Sequence, residues 1–157
     1  MFIETNPPDC AACKARFYTV FAGCDKALLQ IISNRKIQYY YSAGEAVFSE
    51  QENSDGVYCL YDGLVLLSKQ SETDTDDVII MEVVQGALLG IEGVVNNVRR
   101  QTTATATTNC WACYIPKEAI VECISQDARI ATNVMQRLCS IIKVMGLRTD
   151  ADKLFCE

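Results

Sequence analysis

The stretch Tyr58-Cys59-Leu60-Tyr61-Asp62-Gly63-Leu64-Val65-Leu66-Leu67 decides how the rest of the chain is read. Two runs of β-forming residues flank Asp62-Gly63, a pair suited to the positive φ of a tight turn, so the segment predicts a β-hairpin. Working outward, short β-branched or aromatic runs recur at 36–41, 46–49, 78–84, 102–106 and 110–115. Ser42-Ala43-Gly44, Asn53-Ser54-Asp55-Gly56 and Gly86 punctuate them. Strands this short, at this spacing, predict a sandwich, barrel or jelly roll. The segment 71–77 reads as a solvated hairpin tip; it lacks the glycine and terminal glutamate of an EF-hand calcium loop. Tyr39-Tyr40-Tyr41 reads as core and cross-strand packing.

At both ends the period turns helical. Asp25 is a fitting N-cap for a helix over 27–32, and Pro116 suits the first turn of one over 117–124. A longer helix is expected from about Ala128 to Met145, with Ala131, Val134, Leu138, Ile141 and Met145 at 3-4-3-4 spacing. That stripe reads either as a two-helix seam or as packing within one chain. Gly146 is the expected stop, and RTDADKLFCE a partial further turn or frayed end. The chain divides into an irregular cysteine-containing arm (1–20), a β-rich domain (21–125), and a long helix with its tail (126–157).

Composition bounds the chemistry. The 157 residues are 50% hydrophobic and 22% charged, which suits one globular domain. The net charge of -6 argues against a direct grip on nucleic acid, because phosphate binding needs a basic face. No apolar run approaches the roughly 20 residues that cross a bilayer. MFIETNPPDC has neither the basic nor the apolar region of a signal peptide, so a cytoplasmic location is expected. There are nine cysteines and no histidine. Missing histidines remove Ser-His and Cys-His nucleophile pairs and His-ligated metals, and no other catalytic constellation is found; the chain is not expected to be an enzyme.

The glycines then make the pattern specific. Gly44-Glu45-x-x-Phe48, Tyr58-x-Leu60-x-x-Gly63-x-Val65-x-Leu67 and Gly86-x-x-x-Gly90 resemble the glycine-punctuated pattern of cyclic-nucleotide-binding domains. With the CxxC arm in front and the long helix behind, the chain resembles the sensor half of Crp/Fnr-type transcription regulators over roughly residues 20–148. The resemblance implies a mainly β jelly roll (the cyclic-nucleotide-binding β-roll) with flanking helices and a C-terminal dimerisation helix. It also implies a homodimer through helix 128–145, a small-molecule effector, and DNA contact only if a longer chain supplies a helix-turn-helix.

Two sensing chemistries follow. For a cyclic nucleotide, the resemblance places the phosphate cassette at Gly90, Glu92, Arg100, Gln101 and Thr102, with Arg100 as the phosphate arginine. Departures are visible: Ile91 directly follows Gly90, putting Glu92 one place late, and Gln101-Thr102 stands where binders have a small Ser or Thr and then Ala. Arg99 and Arg100 also read as a solvated turn beside a strand. For redox sensing, Cys10, Cys13 and Cys113 match the ligands of the Fnr branch's [4Fe–4S] cluster, with the fourth contested between Cys24 and Cys110. On a regular strand Cys110 and Cys113 point to opposite faces, which counts against their joint ligation. A zinc site, a thiol switch or inert packing thiols are the alternatives. Cys59, Cys123 and Cys139 read as packing, and Cys24, near a helix N-terminus, as a thiol of lowered pKa.

The expectation is therefore a ligand- or redox-sensing regulatory domain that transmits its signal through the C-terminal helix. The alternative is a stand-alone interaction module with a degenerate pocket.

Overall fold

In the computed structural model, residues 1–73 and 75–146 are described, without the side chains of 144–146. Asp74 in the 71–77 tip, the Met145 side chain of the helical stripe and the tail beyond 146 lie outside the described residues.

Two antiparallel sheets form the roll. One holds β1 (Phe2–Ile3), β2 (Ile37–Tyr41), β9 (Cys110–Pro116), β4 (Gly56–Asp62) and β7 (Leu88–Leu89), in the order β1-β2-β9-β4-β7. The other holds β3 (Ala46–Phe48), β8 (Thr103–Ala106), β5 (Val65–Lys69) and β6 (Val78–Val83), in the order β3-β8-β5-β6. This is the expected jelly roll. The Asp62-Gly63 hairpin is not formed, however. β4 pairs with β7 and β9, whereas β5 pairs with β6 and β8, so Gly63 carries the chain from one sheet to the other. Its φ of +96° supplies the sharp corner, and a Cβ there would press on Cys110 and the Asn109 carbonyl. Gly63 has the positive φ that its turn chemistry predicts, but pairing is decided by distant strands.

β9 shows how the layers alternate. Cys110 and Ala112 face the space between the sheets with Tyr41, Leu60, Val65 and Ala104. Cys113 and Ile115 face the opposite way, toward the helices. The five-stranded sheet is therefore covered on both sides. Its outer cover is α1 (Lys26–Arg35), α3 (Lys117–Gln126), the start of α4 (Ala128–Gly146) and the N-terminal arm, which contains a single 3-10 turn at Arg16–Tyr18.

The helices begin where the sequence says they should. Asp25 accepts a hydrogen bond from the Leu28 amide at 3.0 Å, and Leu28, Leu29 and Ile32 bury one face of α1. Asp127 accepts one from the Arg129 amide at 2.9 Å at the head of α4. Ile130 roots α4 in the core. Asn133 Nδ2 donates to the carbonyls of Val20 (2.8 Å) and Ala22 (3.2 Å), and Arg129 Nη1 to that of Gly23 (2.8 Å), tying the helix to the end of the arm and the turn that follows it. Besides the 3-10 turn, three short elements were not expected: β1 in the arm, β7, and α2 (Ile91–Asn96), a helix between β7 and β8.

Candidate functional site

A cavity of about 690 Å³ opens between the roll and α4, inside the roughly 300–1,000 Å³ range of small-molecule sites. One wall is the roll: Leu67, Ile80, Met81 and Val83 from β5 and β6, and the run from Ala87 to Glu92 with Thr102. The other wall is the inner face of α4, including Asn133, Val134, Arg137, Leu138 and Ile141, and Phe17, Thr19, Val20 and Ala22 also belong to the lining. Three members of the helical stripe thus line this cavity within one chain.

The cassette residues separate around it. Gly90, Glu92 and Thr102 line the cavity. Gln101 does not; it is exposed and its Nε2 donates to the Arg99 carbonyl at 2.9 Å. Arg99 fits the solvated-turn reading, donating to the Gln51 carbonyl at 2.7 Å from an exposed position.

Arg100 is no solvated turn residue. It is 3% exposed, yet it does not line the cavity. Its Nη1 donates to the Gly90 carbonyl at 3.1 Å and its Nη2 to the Gly56 carbonyl at 2.6 Å. The guanidinium lies 4.5 Å over the Phe48 ring and 5.7 Å from that of Tyr58. No carboxylate pairs with it among the described residues; carbonyl dipoles and ring faces compensate the charge instead. Burial raises the Tyr58 pKa, and the neighbouring guanidinium draws it partly back. The arginine also explains Gly90: φ there is +77°, and a Cβ would fall on the guanidinium. Nε of Arg100 and Oγ of Ser54, which lies against Gly93, are buried without a hydrogen-bond partner among the described residues.

The cysteines form a separate locus. Cys10, Cys13 and Cys113 all line one cavity of about 30 Å³ beneath the N-terminal arm, and a fourth thiol joins them, Cys59. Cys59 is the direct cross-strand partner of Cys113. Neither Cys24 nor Cys110 lines this cavity, and Cys110 faces the other core. Cys59 is buried in the core, as its apolar strand pattern predicts, and its link to Cys113 exists only once β4 and β9 are in register. Cys139 is exposed rather than packed, whereas Cys123 is buried.

Burial pushes the Cys113 thiol up to about 11, with the Lys36 ammonium as the main opposing influence, and raises Cys59 further. The Cys24 thiol is also raised, first by burial and then by the Asp127 carboxylate, despite its place near a helix N-terminus. A resident cluster or zinc needs thiolates gathered around one point. The donors suit soft-metal chemistry in kind and number, but among the described residues no three Cys, Asp or Glu side chains are placed to hold a metal ion. The geometry does not fit the group.

Among the described residues no helix is long and apolar enough to cross a membrane. No curated protein sequence matches the chain. Among solved structures, the catabolite activator protein of Thermus thermophilus superposes with a TM-score of 0.71 at 17% identity, over 84% of this chain and 62% of that one. A putative cAMP-binding regulatory protein from Silicibacter pomeroyi gives 0.69 at 20% identity, over 89% and 64%. The regulatory subunit of a cAMP-independent protein kinase A from Trypanosoma brucei, with cAMP in its A site, gives 0.66 at 14% identity, over 76% and 42%. The chain thus spans less than two thirds of the length of each, and at these identities the likeness is one of fold. The profile of the cyclic nucleotide-binding domain matches residues 38–127, more than half of the sequence. Profile and roll agree, and the chain belongs to the cyclic nucleotide-binding domain family.

Proposed function

We propose that this chain is a regulatory sensor domain that takes a small effector of the cyclic-nucleotide class into the cavity between the roll and α4. The observation that carries the reading is the cavity's construction: one wall is the roll with Gly90, Glu92 and Thr102, and the other is α4. An occupant touches both, so its binding energy differs between arrangements of α4, which is what a signal requires. The domain acts by binding rather than catalysis, in the cytoplasm, as the sensor of a Crp/Fnr-type transcription regulator. α4 leaves Met135 57% and Ile142 50% exposed, apolar surface that a second copy of the helix would cover in a homodimer.

Calorimetry of the purified chain with cyclic AMP and cyclic GMP tests the reading. Saturable binding of one of them is expected, weakened at least tenfold by Ser140→Trp, which places a large ring at the cavity wall without touching the core. A folded protein that binds neither nucleotide contradicts it and favours an interaction module with a degenerate pocket.

Iron–sulfur sensing ranks below this reading, because the four thiols would have to ionise and draw together. Anaerobically purified protein is expected to be colourless and iron-free. Broad visible absorbance that disappears in Cys113→Ala would reverse the order.

A further inference from the structure

The proposed effector cavity poses a problem of charge. A cyclic nucleotide is a monoanion, and an anion moved from water into a mainly apolar cavity needs a cation to receive it. Arg100, the cation that the family resemblance would supply, is occupied by two backbone carbonyls and lies outside the lining. The lining contains two ionisable side chains, Glu92 on α2 and Arg137 on α4. Glu92 repels an anion. Arg137 is half-buried, and its Nη1 donates to the Gly86 carbonyl at 3.0 Å, which anchors the guanidinium at the roll while the helix carries its stem. Among the described residues no carboxylate pairs with it. A guanidinium has five N–H donors in a planar fork, so one carbonyl leaves donors for two phosphate oxygens.

We infer that Arg137 holds the anionic group of the effector, in place of Arg100. The inference rests on the cavity reading above and deepens it: the ligand's charge is bonded directly to α4, the element whose position is to be read. Arg137 would then determine specificity for charged over uncharged ligands, while the apolar lining takes the rest of the molecule. An effector held this way is tied to two parts of the fold at once, because the same guanidinium already bridges α4 and the Gly86 turn ahead of β7.

The test uses calorimetric titration of the whole chain with cyclic AMP and cyclic GMP, and with adenosine and guanosine as uncharged controls. Arg137→Gln keeps a polar, uncharged and shorter side chain on a half-exposed helix, and thermal unfolding verifies that it folds. It is expected to weaken binding of the cyclic nucleotide by roughly 10–100-fold, the scale of one charge-assisted hydrogen bond. Nucleoside affinity should change less than about twofold, and the salt dependence of nucleotide binding should flatten as the pairing charge is lost. Arg137→Lys should recover part of the affinity. Unchanged nucleotide affinity in Arg137→Gln overturns this inference and leaves the cavity reading intact, returning the charge to Arg100. Equal losses for nucleotide and nucleoside, with unaltered salt dependence, also overturn it, since they mean that the side chain only packs. A wild-type chain that binds neither nucleotide overturns both.

Discussion

Arg100 is a charge buried on purpose. Its guanidinium spans Gly90 and Gly56, two points far apart in sequence, and rests on the faces of Phe48 and Tyr58. Deleting it strands two buried carbonyls and opens a void between aromatic rings. Hydrogen bonds to charged groups contribute about 1.5–3 kcal/mol each, with losses that overlap, so Arg100→Ala should destabilise the chain by about 3 kcal/mol. A urea-denaturation midpoint unchanged from wild type would contradict the clasp role. Part of this was legible beforehand: the family resemblance placed Arg100 at the position of the phosphate arginine. The direction its side chain takes was not, because the residues that receive it, Gly56 and Phe48, come from strands whose placement depends on the whole roll.

Among the elements, strands and long helices declared themselves through periodicity, and two helix starts through Asp25 and Pro116. Short or nonlocal features stayed hidden. α2 has only six residues, with Gly93 among them, so neither period nor propensity stands out. The Asp62-Gly63 turn has hairpin chemistry but joins two different sheets. Cys59 was invisible as a member of the thiol group for the same reason: its partner comes from β9, more than fifty residues away. That register makes a testable statement about reactivity. An alkylating reagent at pH 8 should modify exposed Cys139 well before Cys59, Cys110, Cys113 or Cys123, all buried. Burial favours the neutral thiol, raising the folded Cys113 to about 11 while the unfolded thiol titrates near its ordinary value of about 8.5. The folded state therefore retains a proton that the unfolded state releases. Its contribution to stability is complete below about pH 8.5 and is lost as the pH climbs toward 11. Cys113→Ala should flatten that alkaline decline. Mass spectrometry showing Cys59 or Cys113 alkylated first at pH 8 would contradict the arrangement.

Across the whole molecule, the roll and α4 are joined at the base and separated above it. Ile130 is buried in the core, and Asn133 and Arg129 fix the first turns of α4 to the arm. Beyond them the helix stands across the cavity from β5, β6 and β7. A ligand placed there stabilises the arrangement of α4 that it fits best, and by reciprocity whatever binds α4 alters ligand affinity.

Enclosure of one effector by both walls is read out by amide hydrogen exchange with and without cyclic AMP or cyclic GMP. Slowed exchange is expected in two segments together, 87–102 on the roll and 133–141 on α4, with the thiol-lined cavity under the arm unchanged. Protection confined to the arm, or none in either segment at saturating nucleotide, would contradict it.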